Sequence, residues 1–299
     1  MTSLLFTGAS GFLGTNILPL LTKNYDVDTL ALDDKATYNI NLVNDDLHLN
    51  KSYDIVLHAA GKAHVVPKTD AEKKLFYDIN FEGTKKVCAA LEEYEVPKSF
   101  IFISTVAVYG CDFGEGITEE HSLDGDTPYA KSKIMAEEFL KDWCKSHNVI
   151  LTILRPSLLA GKNAPGNLGA MVQGIKTGRY LSIADGKARK SVMMVDDIAN
   201  LIPLVAEKGG IFNVCDSQHP SFKELEQIVS SQLNKKTPRS IPMWLAKFLA
   251  FFGNILGSKA PINSFKLKKI TKSLTFSNEK AVQKLGWTPI NVIDNYKII

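Results

Sequence analysis

A tyrosine and a lysine four residues apart, Tyr129 and Lys133 in DTPYAKSK (126–133), form the most chemically suggestive spacing in the chain. On a helix, residues four apart share a face. A free phenol titrates at about pH 10, too high for it to act as a base at neutral pH. A cation about 4 Å away at an effective dielectric of about 20 contributes roughly 4 kcal/mol, enough to lower the phenol pKa by about three. That would bring the group toward the range where acid–base catalysis is efficient. The same spacing also arises by accident in a lysine-rich chain with 9 tyrosines, and Tyr94 with Lys98 repeats it. Pro97 interrupts the helical register of that second pair. Tyr129, in contrast, follows the helix-start pair Thr127-Pro128, and AKSKIMAEEFLKDW continues as an amphipathic helix. Spacing by itself leaves catalysis and a chance pair on a solvated helix both open.

The elements around this helix alternate. SLLFTG (3–8) reads as a short strand, followed by a helix over about 12–23 and a second strand, VDTLALDD (27–34). YDIVLHAAG (53–61), KSFIFISTVAVYG (98–110) and VILTILRP (149–156) read as further buried strands, with a long helical stretch over about 71–95. This strand–helix rhythm predicts an α/β fold, a parallel sheet with helices on both faces. Ligands in such sheets bind outside the carboxyl ends of the strands. Beyond about 157 the pattern changes. Glycine and proline cluster in LLAGKNAPGNLG, a helix runs through MVQGIKTGRY, and KSVMMVDDIANLI with GIFNVCD reads as a passage returning to the sheet. The predicted organisation is a cofactor domain over 1–157, rejoined by 190–215, and a smaller, mostly helical substrate lobe from 158–189 and 216–299.

Bulk properties exclude several classes. A chain of 299 residues can bury a full core, and 45% apolar with 22% charged residues is ordinary for a soluble globular protein. A net charge of +3 without a dense basic tract argues against a dedicated nucleic-acid binder. Cys88, Cys111, Cys144 and Cys215 are too scattered for a disulfide framework or zinc site, which points to a reduced, cytoplasmic setting. The 6 histidines show no HxxxH or HExxH spacing, so no metal is expected. No basic leader with a cleavage site opens the chain, and no signal peptide is expected. The longest apolar run, MWLAKFLAFFGNIL (243–256), is interrupted by Lys247 and too short to span a bilayer. It reads as a core or lobe-surface helix, with contact at a membrane surface as the minor alternative.

TGASGFLG places Gly8, Gly11 and Gly14 directly after the first strand and at the start of a helix. A lone glycine triplet is a weak signal. In this context glycines permit a tight turn and a close backbone approach to a pyrophosphate, with helix N–H groups and the helix dipole behind it. The spacing is GxxGxxG rather than GxGxxG.

With that loop, the sequence resembles the extended short-chain dehydrogenase/reductase family, in its nucleotide-sugar epimerase, dehydratase and reductase branch. TGASGFLG is similar to the family's TGxxGFxG, which implies a Rossmann-type doubly wound sheet and cofactor contacts from Gly8, Gly11, Phe12, Leu13 and Gly14. Asp33 and Asp34 end the second strand, and an acid there binds ribose hydroxyls and repels a 2′-phosphate. NAD is therefore expected, with NADP as the alternative because Lys35 follows at once. HAAG (58–61) resembles the strand-four end, where Ala59, Ala60 and Gly61 let a cofactor lie across the sheet. Asn80, with Gly83-Thr84, resembles the NxxGT element, and would bond the cofactor or brace neighbouring backbone. STVAVYG looks like the catalytic-serine strand: Thr105 matches the catalytic hydroxyl and Ser104 points toward the nicotinamide pocket. RPSLLAG places Pro156 against the nicotinamide, while KSVMMVDDIA and LGWTP extend the resemblance to nearly the whole chain.

The resemblance implies a Thr105–Tyr129–Lys133 catalytic set. Tyr129 exchanges the proton of a sugar hydroxyl, Thr105 orients the same oxygen, and Lys133 tunes Tyr129 and holds the nicotinamide ribose. On the substrate side, Lys190 stands where relatives carry a diphosphate-binding arginine, and Arg189 could supply the planar fork that lysine lacks. Asn167-Leu168 resembles an element that contacts the nucleotide. Leu158 departs from UDP-galactose 4-epimerases, which place an asparagine there to reach the sugar. That departure favours reduction of a 4-keto, UDP-linked sugar, with 4-epimerisation through a transient ketone as the alternative. Relatives often dimerise through a helix pair that would include 128–146 here.

Overall fold

The computed structural model describes residues 1–256 and 263–298. Its centre is a parallel sheet built from β1 (Thr2–Thr7), β2 (Tyr25–Ala31), β3 (Tyr38–Asn39), β4 (Ile55–His58), β5 (Ser99–Ile103), β7 (Ile150–Pro156) and β11 (Gly210–Val214). Off this sheet, short parallel pairs join β6 (Gly114–Ile117) to β13 (Leu274–Phe276), β8 (Leu158–Ala160) to β10 (Val192–Met194), and β9 (Ser182–Ile183) to β12 (Ser240–Ile241). The strand order β11-β7-β5-β4-β1-β2-β3 reverses direction between β1 and β4. A parallel sheet covered on both faces needs continuous apolar strands. The inner strands supply them: β4 (IVLH) and β5 (SFIFI) are buried at every position.

Helices cover both faces, as the sequence rhythm implies. On one face α1 (Phe12–Leu21) and α6 (Asp197–Val205) seat Ile17, Leu21, Leu201 and Val205 on the sheet. On the other, α3 (Gly83–Glu92) and α4 (Pro128–Ser146) contribute Val87, Leu91, Leu140 and Trp143. A separate core gathers β8, β10, α5 (Gly166–Lys176), α7 (Phe222–Gln232) and α11 (Val292–Asn295). In a further small cluster α8 (Met243–Leu256) packs on α9 (Ser264–Thr271), while α10 (Glu279–Leu285) returns to the main sheet through Ala281 and Leu285.

Three differences from the sequence expectations have physical causes. The stretch at 71–95 is not one continuous helix. It divides into α2 (Asp70–Tyr77) and α3 around a π-helical turn at Asp78–Glu82, which carries the buried Asn80. The strand expected over 98–110 stops at Ile103, and Val106–Tyr109 forms a 3-10 turn capped by Thr105, whose hydroxyl accepts the Ala107 N–H at 3.1 Å. In the passage expected to return to the sheet, β11 does join it at the edge. VMM pairs with β8 instead.

Candidate active site

The cleft lies where the strand order reverses, at the carboxyl ends of the strands. It has a volume of about 940 Å³ and is lined by Gly8, Gly11 and Ala59 from the switch point, then by Thr105, Tyr129 and Lys133. The turn after β1 demands glycine. Gly8 has φ +78, and a Cβ there would stand 2.6 Å from the Ala60 nitrogen. Gly14 packs so closely that a Cβ would meet the Ala9 carbonyl at 2.2 Å. Helix α1 then starts with Gly11 as its cap, with no side-chain cap bond and no acidic residue in its first turn. An uncapped helix start beside a glycine turn is the arrangement that receives a phosphate. Phe12 and Leu13 line the same wall. The residues present therefore fit a dinucleotide diphosphate.

Beneath this wall runs a buried polar relay. The Ala60 N–H donates to the Thr7 hydroxyl at 3.1 Å, and Thr7 meets His58 Nδ1 at 2.7 Å. On the other side His58 Nε2 meets Thr84 Oγ1 at 2.9 Å, and Thr84 donates to the Asn80 carbonyl at 2.7 Å. The Thr84 hydroxyl proton is thereby assigned, so His58 donates from Nε2 to Thr84, and as a neutral ring it accepts from Thr7 at Nδ1. Burial, with Lys133 nearby, pushes His58 down to about 3, so it is neutral at physiological pH. Asn80 spends its amide on backbone and Ser132. Its Oδ1 accepts the Lys62 N–H at 2.6 Å, and its Nδ2 donates to the Lys62 carbonyl at 3.1 Å and to Ser132 at 2.9 Å. These bonds use the wide π turn, and they hold the strand-four end that carries Gly61.

Thr127 caps α4 by accepting the Ala130 N–H at 3.1 Å, with Pro128 as the first helical residue. The helix brings Tyr129 and Lys133 to the cleft. Burial raises the Tyr129 phenol above its ordinary value, and the neighbouring Thr105 hydroxyl pulls it back. Lys133 is buried. Its Nζ donates to the Ile103 carbonyl at 2.8 Å and sits 4.5 Å from the centre of the Phe102 ring. Burial lowers this ammonium to about 8, with Glu137 opposing the fall. Burial is the largest influence on the Tyr129 phenol, and the Lys133 ammonium one turn away is turned to the Ile103 carbonyl.

Ser104 lines the cleft, but its hydroxyl is directed into the protein and donates to Glu137. Glu137 is also held by a two-pronged contact with Arg155, at 3.1 Å from Nε and 2.6 Å from the terminal nitrogen. Arg155 donates in addition to the Tyr109 hydroxyl at 2.9 Å, and Tyr109 donates to Asn213 at 2.6 Å. This network lies under Thr105 and Pro156 and ties β5, α4, β7 and β11 together.

Asn167, Leu168, Lys190 and Pro156 all line the cleft. Lys190 donates to the carbonyls of Lys269 and Lys272 at 3.1 and 3.0 Å. Arg189, expected to supply a fork, is instead placed away from the cleft. It donates to the His219 carbonyl at 2.9 Å and lies 3.8 Å from Glu224. Asp33 is exposed in the turn after β2 and accepts the Lys35 N–H at 2.9 Å, outside the cleft lining. Ser157, Lys266 and Lys269 are among the lining residues with no counterpart in the sequence reading. Ser157 follows Pro156, and its buried hydroxyl has no partner among the described residues. Lys266 and Lys269 reach the cleft from α9, more than 130 residues beyond Tyr129. Among the described residues, no group of three His, Cys, Asp or Glu side chains could hold a metal.

An open parallel sheet with a glycine turn and a bare helix start at its switch point defines a Rossmann-type nucleotide-binding protein. The profile of the NAD-dependent epimerase/dehydratase family matches residues 4–215, and the chain belongs to that family, within the extended short-chain dehydrogenase/reductases. It is 31% identical over 297 residues to the N-acetyl-α-D-glucosaminyl-diphospho-ditrans,octacis-undecaprenol 4-epimerase of Escherichia coli O157:H7, covering 93% of this chain and 88% of the relative. It is 27% identical to the UDP-glucose 4-epimerase of Vibrio cholerae, covering 96% and 90%. Among solved structures, the UDP-glucuronic acid 4-epimerase of Bacillus cereus, in complex with UDP-glucuronic acid and NAD, superimposes with a TM-score of 0.74 at 17% identity, covering 98% of this chain and 96% of that one.

Proposed function

We propose that the protein is an NAD-dependent oxidoreductase acting at C4 of a diphosphate-linked sugar. The observation that carries this reading is the meeting of Thr105, Tyr129 and Lys133 with the Gly8–Gly11 turn in one cleft. When bound, the nicotinamide supplies the hydride acceptor and donor. Tyr129 takes the C4 hydroxyl proton and returns it, its phenolate favoured by the Lys133 ammonium one helical turn away, and Thr105 beside it aligns the same sugar oxygen. Lys133, with a pKa of about 8, remains cationic at neutral pH, and its ammonium lies beside Gly61, where it can steady the cofactor ribose. Asp33 and Asp34, in the exposed turn after β2, are acids in the region where a ribose-binding acid favours NAD over NADP.

Epimerisation at C4 is one outcome that fits, in keeping with relatives that are 4-epimerases. In that reaction the hydride removed from C4 is returned to the opposite face of the 4-keto sugar. The second reading, net reduction of a 4-keto sugar, is favoured by Leu158, which lines the cleft where the 4-epimerases' asparagine would stand. The group beyond the diphosphate is a nucleoside in the Vibrio relative and an undecaprenyl chain in the Escherichia one.

Two measurements test this. Purified protein mixed with UDP-N-acetylglucosamine and catalytic NAD should interconvert the C4 epimers, with the C4 hydrogen retained in deuterated water. Equimolar consumption of NADH with a UDP-4-keto sugar would instead identify the reductase. Tyr129→Phe should lower turnover by about 10²–10⁴-fold while cofactor still binds. Full activity in that variant would sink the proposal.

A further inference from the structure

Helix α8 is packed the wrong way round for a water-facing element. It buries its small residues: Ala246 and Ala250 are 0% and 1% exposed, and Gly253 is buried with them. Its large apolar residues face outward, with Trp244 at 69% and Ile255 at 79% exposure and Phe248, Phe251 and Phe252 between them. Phe265 on α9 adds to the same pair of helices. Contiguous exposed apolar surface of this kind marks an interaction site.

Charge decides what covers it. Residues 227–278 contain nine Lys and Arg and not one Asp or Glu. The rest of the chain carries 26 basic against 32 acidic residues, so the excess of positive charge is confined to this stretch. Lys247 on α8 is exposed, as are Lys268 and Lys272 around α9, while Lys269 is paired with Asp112 at 2.7 Å. A two-fold contact between copies would set this basic face against itself, which like-charge repulsion opposes. An anionic lipid surface complements both features, since an interfacial helix seats its aromatic and aliphatic side chains among acyl chains and its lysines among phosphates. No helix among the described residues is long and apolar enough to cross a membrane, yet the 14 residues of α8 extend about 21 Å, enough to lie along one.

We propose that the α8–α9 face docks the protein on an anionic phospholipid bilayer. The placement has a consequence for the cleft. Lys266, Lys269 and Ile270 of α9 line it, and Ile183, also in the lining, packs against Ala246 and Ala250. The docking helices therefore form part of the cleft wall, and a sugar diphosphate held at a membrane surface would meet that wall directly. The inference goes beyond the redox reading, and its readout is lipid binding rather than turnover, so each stands or falls separately.

The full-length protein is mixed with vesicles of phosphatidylcholine alone or of phosphatidylcholine with phosphatidylglycerol, and then floated on a density gradient. The expected result is flotation with the mixed vesicles, weakened by high salt. Phe248→Ser/Phe251→Ser/Phe252→Ser should cut the bound fraction by about ten-fold or more, without changing the circular dichroism spectrum or turnover of a soluble UDP-sugar. Lys268→Gln/Lys272→Gln should weaken binding to the anionic vesicles in particular. A wild-type protein that stays at the bottom of the gradient with both vesicle types overturns the proposal. If that protein is also a dimer which the triple-serine variant converts to monomer, the face belongs to a second copy.

Discussion

Helices α4 and α8 are both apolar along one side, and they turn that side in opposite directions. In α4, Leu140 and Trp143 are buried against the sheet, while Lys131, Glu138 and Lys141 face solvent. In α8, Ala246, Ala250 and Gly253 face inward, while tryptophan and phenylalanine face out. Hydrophobic periodicity locates a stripe on a helix, but the partner of the stripe is set by what else is folded nearby. Small residues permit α8 and α9 to approach closely, and the large residues left over have no place in that contact. The first helix is held by what it buries. The second is held by its small face, and its large side chains are free for another role.

Substitutions sharpen or break this contrast. Leu140→Ala on α4 should cost about 2–5 kcal/mol, read as a lower urea midpoint at unchanged slope. A cost below about 1 kcal/mol would mean that the inward face of α4 is not what anchors it. Ala250→Leu on α8 should destabilise by about 1–3 kcal/mol through overpacking. A neutral result there would remove the case that α8 is seated by its small residues.

The sheet region also contains a titrating group with no equivalent among the described residues of the α8–α9 core. The folded-state pKa of His58 is lowered to about 3, against about 6.5 for a free imidazole. Below pH 6.5 the unfolded chain therefore binds a proton that the folded chain refuses. Stability falls as the pH drops through that window, by up to about 1.4 kcal/mol per pH unit, and the loss levels off near the folded pKa. His58→Gln should flatten this slope by one proton in urea titrations at successive pH values. An unchanged slope would mean that the imidazole protonates freely in the native state. The smallest effect is expected on the outer side of α8: Phe251→Ser should change stability by no more than about 0.5 kcal/mol, although it weakens lipid binding.

Much of the candidate site was legible in the chain because its signals are local. TGASGFLG is a turn and a helix start within eight residues. Tyr129 and Lys133 sit one turn apart behind their own cap, and they reach the cleft together. Thr105 follows an apolar run that had to be a buried strand. The parts that were not legible depend on distant partners. Ser104 was expected to face the nicotinamide pocket, yet Glu137 and Arg155 draw its hydroxyl inward. Arg189 and Lys190 are adjacent, yet one bonds the 218–219 loop and the other borders the cleft. The π turn carries Asn80 to Lys62 and Ser132, partners 18 and 52 residues away in the chain.

The sequence by itself determined the parallel α/β architecture, the glycine turn and the Tyr–Lys pair, because backbone preference, helix capping and hydrophobic period act over a few residues. Only the tertiary structure decided where the Lys133 ammonium rests, that Lys266 and Lys269 border the cleft, and that the aromatic side of α8 faces outward. Those outcomes depend on burial and on contacts between segments far apart in the chain, which no local pattern encodes.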